Sequence, residues 1–96
     1  MYIFDSEVNP TQGDVAGILR GGRYLINAVF GGSMGGGTLT IEVINKNGDR
    51  LVTPDDLVTT ELPQGIVVWL GNDSSIQAKL AGATSPDLKL WLSRLV

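Results

Sequence analysis

The chain has 96 residues, 43% of them hydrophobic and 18% charged, enough for one domain with a modest core. It contains neither cysteine nor histidine, which removes disulfides, thiolate nucleophiles, Cys- and His-based zinc sites and every Ser-His or Cys-His dyad. Seven basic residues against ten acidic ones leave a net charge of −3, and the cations are scattered singly apart from Arg20 and Arg23, so the phosphate-neutralising cluster of a nucleic-acid binder is missing.

The first dozen residues begin apolar, with Tyr2, Ile3 and Phe4, and turn polar by Gln12. They read either as an arm over 1–12 that adds a strand to a neighbour's sheet edge, or as the first strand of the domain formed by 13–96. They lack the basic start and long apolar run of a signal peptide. Apolar stretches reach only about five residues, too short to span a membrane. Cytoplasmic synthesis is the expectation.

Residues 14–19 fit a strand or a single helical turn. From 23 onward the side chains alternate. Tyr24, Ile26, Ala28 and Phe30 share one face, and Arg23, Leu25, Asn27 and Val29 the other. The glycine-rich run 31–37 lacks the Gly-Lys-Ser/Thr ending and following helix of a phosphate loop, and reads as a connection between strands. Leu39, Ile41 and Val43 alternate with Thr38, Thr40 and Glu42. Asn47-Gly48 predicts a type I′ hairpin between 38–45 and 50–53. Asp55-Asp56 and Asn72-Asp73-Ser74-Ser75 offer oxygens, but turn formation explains both better than a calcium site does. Asn72-Asp73-Ser74 also spells a glycosylation sequon, relevant only in a secreted eukaryotic protein.

Leu62-Pro63-Gln64-Gly65 predicts a turn joining strands near 57–62 and 66–71, and Gly71-Asn72-Asp73-Ser74 the next hairpin. Ile66, Val68 and Leu70 alternate with Val67 and Trp69, then Ile76, Ala78 and Leu80 with Gln77 and Lys79. Over 85–96 a helix start at Ser85-Pro86-Asp87 competes with strict alternation of Leu88, Leu90 and Leu92 against Lys89, Trp91 and Ser93. A strand is favoured, because the neighbouring segments are β. The sum is an all-β chain, a small antiparallel β-sandwich or jelly roll of about seven to eight short strands.

The tryptophans carry the functional reading. Trp69 and Trp91 both lie out of phase with the aliphatic rows, so both indoles point away from the core. Exposed aromatic rings need a cover. A protein partner, a loop or arm of the same chain, or a stacked sugar each supplies one. Tyr2, Phe4, Trp69 and Trp91 are therefore the candidate partner-interface residues. No catalytic, cofactor-binding or metal-ligating set emerges, and the paired carboxylates of a glycosidase would need a cleft for which this length leaves little room.

Gly21-Gly22-Arg23-Tyr24 before an apolar strand, Gly31-Gly32, and Gly36-Gly37-Thr38-Leu39 opening another set a rhythm. It continues through Asn47-Gly48, Leu62-Pro63-Gln64-Gly65-Ile66-Val67-Val68 and a closing Ala78-Lys79-Leu80. Over roughly residues 17–95 this order of glycines and strands resembles the small capsid decoration, or cement, proteins of tailed bacteriophages. The resemblance implies a non-enzymatic virion structural protein, bound as a dimer or trimer to the outer surface of the major capsid protein lattice. From the residues themselves, no cofactor, nucleic acid or membrane is expected as partner. The other function that suits the residues is a carbohydrate-binding or fibre-tip module using Trp69, Trp91 and Tyr24 as stacking platforms.

Overall fold

The computed structural model describes residues 1–53 and 55–95, the side chains of Ile18 and Asp56 excepted. Among the described residues eight strands form: β1 (Tyr2–Asp5), β2 (Ala16–Leu19), β3 (Gly22–Ala28), β4 (Thr38–Ile44), β5 (Val58–Thr59), β6 (Gln64–Leu70), β7 (Ser74–Ala81) and β8 (Lys89–Arg94), with one turn of 3-10 helix at Asp55–Leu57. They build two four-stranded sheets, ordered β1-β8-β3-β6 and β2-β7-β4-β5.

That order has a simple origin. β1 pairs with β8, β2 with β7, β3 with β6 and β4 with β5, all antiparallel. The chain is one long antiparallel ribbon rolled up, and the β3–β8 and β4–β7 pairings complete the two sheets. This is the jelly roll, a β-sandwich in which all but one of the links between successive strands cross between the sheets.

The longer strands turn an aliphatic row inward, as period-two side chains require. Ile26, Leu39, Ile41, Ile76, Ala78, Leu88 and Leu90 are fully excluded from solvent, and Tyr24, Val68, Leu70, Leu80 and Leu92 nearly so. Residues 89–94 are strand, as alternation favoured, and 16–19 are strand as well.

Three turns differ from the sequence reading. Around Asn47-Gly48 only Gly48 is left-handed, at φ 86°. The Asn45 side-chain oxygen accepts the N–H groups of Asn47 and Asp49, both at 2.9 Å, and the Gly48 N–H returns to the Asn45 carbonyl at 3.0 Å. The turn is therefore a right-handed one closed by a glycine bulge rather than type I′. Beyond it 50–53 form no strand, only a bridge from Arg50 to Ile44. Gly65 does not close a hairpin either. It is the extra residue of a β-bulge inside β6, where Ile26 faces Ile66 but Asn27 faces Gln64. Its φ of 114° is one that L side chains rarely adopt. The links 60–63 and 71–73 both pass from one sheet to the other.

The 71–73 link makes a tight corner with the link from β2 to β3. The Asn72 side-chain oxygen accepts the Gly21 N–H at 2.7 Å, and the Asp73 N–H donates to the Leu19 carbonyl at 3.0 Å. The Asn72 amide thus serves the fold, which leaves the sequon a turn. Asp73 takes the left-handed conformation, at φ 64°. Among the described residues no three acidic side chains gather to hold a metal.

Candidate functional site: the aromatic outer sheet face

The two sheets share one core but differ outside. On β4 and β7 the outward residues are Thr38, Thr40, Glu42, Ile44, Ser75, Gln77, Lys79 and Ala81, with Val58 of β5 beside Thr40, and Glu42 Oε2 lies 3.3 Å from Lys79 Nζ and 3.2 Å from Arg50 Nε. That face is mainly polar and carries no aromatic ring.

On the other sheet, three rows of outward side chains cross the strands. Tyr2 of β1 faces Trp91 of β8, which faces Asn27 of β3. Ser93 of β8 faces Leu25 of β3, which faces Val67 of β6. In the third row Leu95 donates its N–H to the Arg23 carbonyl at 2.7 Å, and Arg23 faces Trp69 of β6. Trp69 is 73% exposed, Tyr2 58% and Trp91 44%, with Val67 and Leu95 also open to solvent.

Both indoles stand outside, as their phase predicts. The Tyr2 and Trp91 rings meet edge to face, centroids 4.9 Å apart at 84°, a favoured aromatic geometry that fixes both rings. At the opposite edge the Arg23 guanidinium carbon lies 5.5 Å from the Trp69 ring centroid, within cation–π range. By strand spacing and rise the two indoles are about 16 Å apart on the diagonal of the sheet.

Two expected residues lie elsewhere. Phe4 is only 2% exposed and belongs to the core, so it offers nothing to a partner in this fold. The cause is a register shift in β1 between Tyr2 and Phe4, which turns both Ile3 and Phe4 inward where strict alternation separates them. Tyr24, considered as a sugar platform, is 4% exposed, and its hydroxyl donates to the Arg20 carbonyl. The stretch 1–12 is not a free arm: β1 is the edge strand beside β8, and Gln12 bridges to Lys79. The Met1 ammonium donates to the Leu92 carbonyl at 2.9 Å, and its partial burial lowers its pKa below the usual value of 8.0.

Sequence reasoning missed two features. β3 ends at Ala28, so Phe30 leaves the inward row and stands fully exposed in the 29–37 connection; the Gly31-Gly32 pair after it was the signal. The stacking of Arg23 on Trp69 was the other, and it needs the β3–β6 register that sequence does not supply.

A groove of about 400 Å³ opens beside Trp69, between β6 and the 51–57 connection. Its described lining is aliphatic (Val43, Leu51, Val52, Leu57, Val67 and Val68), with Thr53 the polar member.

Comparisons with protein-family models, curated proteins and solved structures return no match.

Proposed function

We propose that the chain is a non-enzymatic structural protein of a tailed bacteriophage, a decoration or cement protein. It binds the outer surface of the major capsid protein lattice as a dimer or trimer and stabilises the head. It is made in the cytoplasm of the bacterial host and ends on the virion surface.

One observation carries this reading: a jelly roll turns one aromatic, apolar sheet face outward and keeps the other mainly polar and free of aromatic rings. The aromatic sheet face, at about 4.8 Å per strand and 3.3 Å per residue, covers about 400 Å². That is about half of what each side of a standard interface buries, so a single contact is weak. Repeated copies on a symmetric lattice convert weak contacts into firm attachment. Two large rings held by neighbours supply anchors of the type that dominates interfaces, at little entropic cost.

The exposed Trp69 indole favours a second reading, a carbohydrate-binding or fibre-tip module. Against it, the described lining of the groove at Trp69 is aliphatic apart from Thr53 and Trp69 itself, and sugars need hydrogen-bonding groups for orientation.

The test is cosedimentation of the purified chain with shells of the capsid protein encoded beside it, together with tryptophan-fluorescence titration against polysaccharides. Saturable uptake by shells with no response to glycans is expected. Absence of a neighbouring capsid gene, failure to bind shells, or quenching by a glycan overturns the proposal.

A further inference from the structure

The charge of the aromatic sheet runs opposite to that of the molecule. Its four strands carry Arg23, Lys89 and Arg94 against the single carboxylate of Asp5, a balance of +2, in a chain whose net charge is −3. The remainder therefore carries −5, and its acidic residues sit mainly in the connections. Asp5 is already opposite Lys89 across the strand pair. Arg94 donates to the Gly21 carbonyl at 2.9 Å.

Arg23 is left over. Its Nε is shielded from solvent yet has no hydrogen-bond partner, and both ion pairs among the described residues lie on the other sheet. A sequestered donor without an acceptor is costly. Here it belongs to a guanidinium laid against an exposed indole, which fixes the plane of the fork.

We propose that this face docks on a protein surface presenting a carboxylate within an apolar patch, and that Arg23, held by Trp69, receives the carboxylate through its terminal guanidinium nitrogens rather than the shielded Nε, while Trp91 and Tyr2 anchor the far edge. A second copy of this chain fits poorly: Arg94 lies in phase with the inward Leu90 and Leu92, so a two-fold stack of the face brings +1 against +1 (Arg23 and Lys89 against Asp5), with the one carboxylate opposite its own Lys89, over only about 400 Å². Sister copies in a dimer or trimer then touch through other surfaces. The partner on the reading above is the capsid lattice, and the inference rests on that reading.

The experiment measures shell uptake by wild type, Arg23→Glu, Arg23→Gln, Trp69→Ala and Lys46→Glu, with thermal melts to confirm folding. Lys46→Glu makes the same change in total charge as Arg23→Glu, but in the turn between β4 and Arg50 on the other sheet. Arg23→Glu and Arg23→Gln are expected to weaken uptake at least about tenfold, the value of a hydrogen bond to a charged group. Lys46→Glu should bind as wild type does. Added salt should weaken wild type more than Arg23→Gln.

Shells that take up both Arg23 variants as well as wild type overturn this inference and leave the decoration reading standing. Shells that take up no wild-type chain overturn that reading and this inference with it. A stable wild-type dimer that Trp69→Ala splits, seen by light scattering, places a second copy on the face and overturns the proposal. So does retention of single-stranded DNA by wild type that Arg23→Glu abolishes.

Discussion

The two sheets of this protein obey the same rule inside and opposite rules outside. Ile41 and Val43 of one and Leu90 and Leu92 of the other serve the core equally well. Outside, β4 alternates its core residues with Thr38, Thr40, Glu42 and, at its end, Ile44, while β6 and β8 alternate theirs with Val67, Trp69, Trp91 and Ser93. Threonine favours extended backbone as well as valine does, with less apolar surface left in water. Folding therefore does not demand the aromatic face. A sheet able to form with threonines outward, and carrying tryptophans there instead, is the feature on which the proposed docking rests.

The contrast breaks most completely if the shared core is damaged. Leu90→Ala removes a fully buried side chain between the sheets and should cost about 2–5 kcal/mol. Denaturant melts followed by Trp69 and Trp91 emission and by far-ultraviolet dichroism should then shift together. Separate transitions would mean that the sheets fold as independent units.

Next in size, and the sharpest form of the comparison, is a matched pair of double variants. Trp69→Ala with Trp91→Ala should weaken shell uptake by about 2 kcal/mol or more, thirtyfold in affinity. Thr38→Ala with Thr40→Ala on the polar face should leave uptake unchanged. Thermal midpoints of the tryptophan variant should fall by only a few degrees, because half or more of each ring surface is exposed or against a single neighbour. A fall large enough to unfold the chain would make the indoles part of the core.

How legible this was in the sequence follows from what alternation encodes. Period two says which side of a strand a residue takes, so the outward positions of Trp69 and Trp91 and the inward row from Leu39 to Val43 were readable. It says nothing about which sheet receives the next strand. Leu62-Pro63-Gln64-Gly65 and Gly71-Asn72-Asp73-Ser74 have good turn chemistry, yet each carries the chain across the sandwich. Turn residues fix local dihedral angles, whereas the destination depends on the long-range ribbon pairing of β1 with β8 and β2 with β7. Bulges defeat the pattern from within: one in β1 put Phe4 in the core, and another in β6 gave Gly65 its role. Phase is also lost where a strand stops, which is why Phe30 is outside. Arg23 on Trp69 depended on register, the quantity one sequence specifies least.

The corner at Asn72 tests whether the aromatic face needs its link to the polar sheet. Asn72→Ala leaves the exposed Gly21 N–H to water instead of its acceptor and should cost about 0.5–1.5 kcal/mol, a drop of a few degrees in the thermal midpoint for a domain of this size. Asn72→Asp keeps an acceptor and should recover most of it. Shell uptake by folded Asn72→Ala should equal that of wild type, because the corner lies at the end of the sandwich and not on the face.

The smallest expected effect lies on the polar side. Glu42 Oε2 sits 3.2 Å from Arg50 Nε and 3.3 Å from Lys79 Nζ, yet no well-aligned hydrogen bond reaches it. The attraction is Coulombic and undirected. Arg50 is mostly in water, with its side chain 64% exposed, so solvent and salt screen its share strongly. Glu42→Gln should therefore cost about 0.5 kcal/mol at low ionic strength and less as salt is added. It leaves Arg50 and Lys79 facing each other without their shared carboxylate, which keeps the sign destabilising. Uptake by shells should not change at all. If it falls, the polar face also takes part in binding, and the division of labour between the two sheets fails at the residue where it costs least to check.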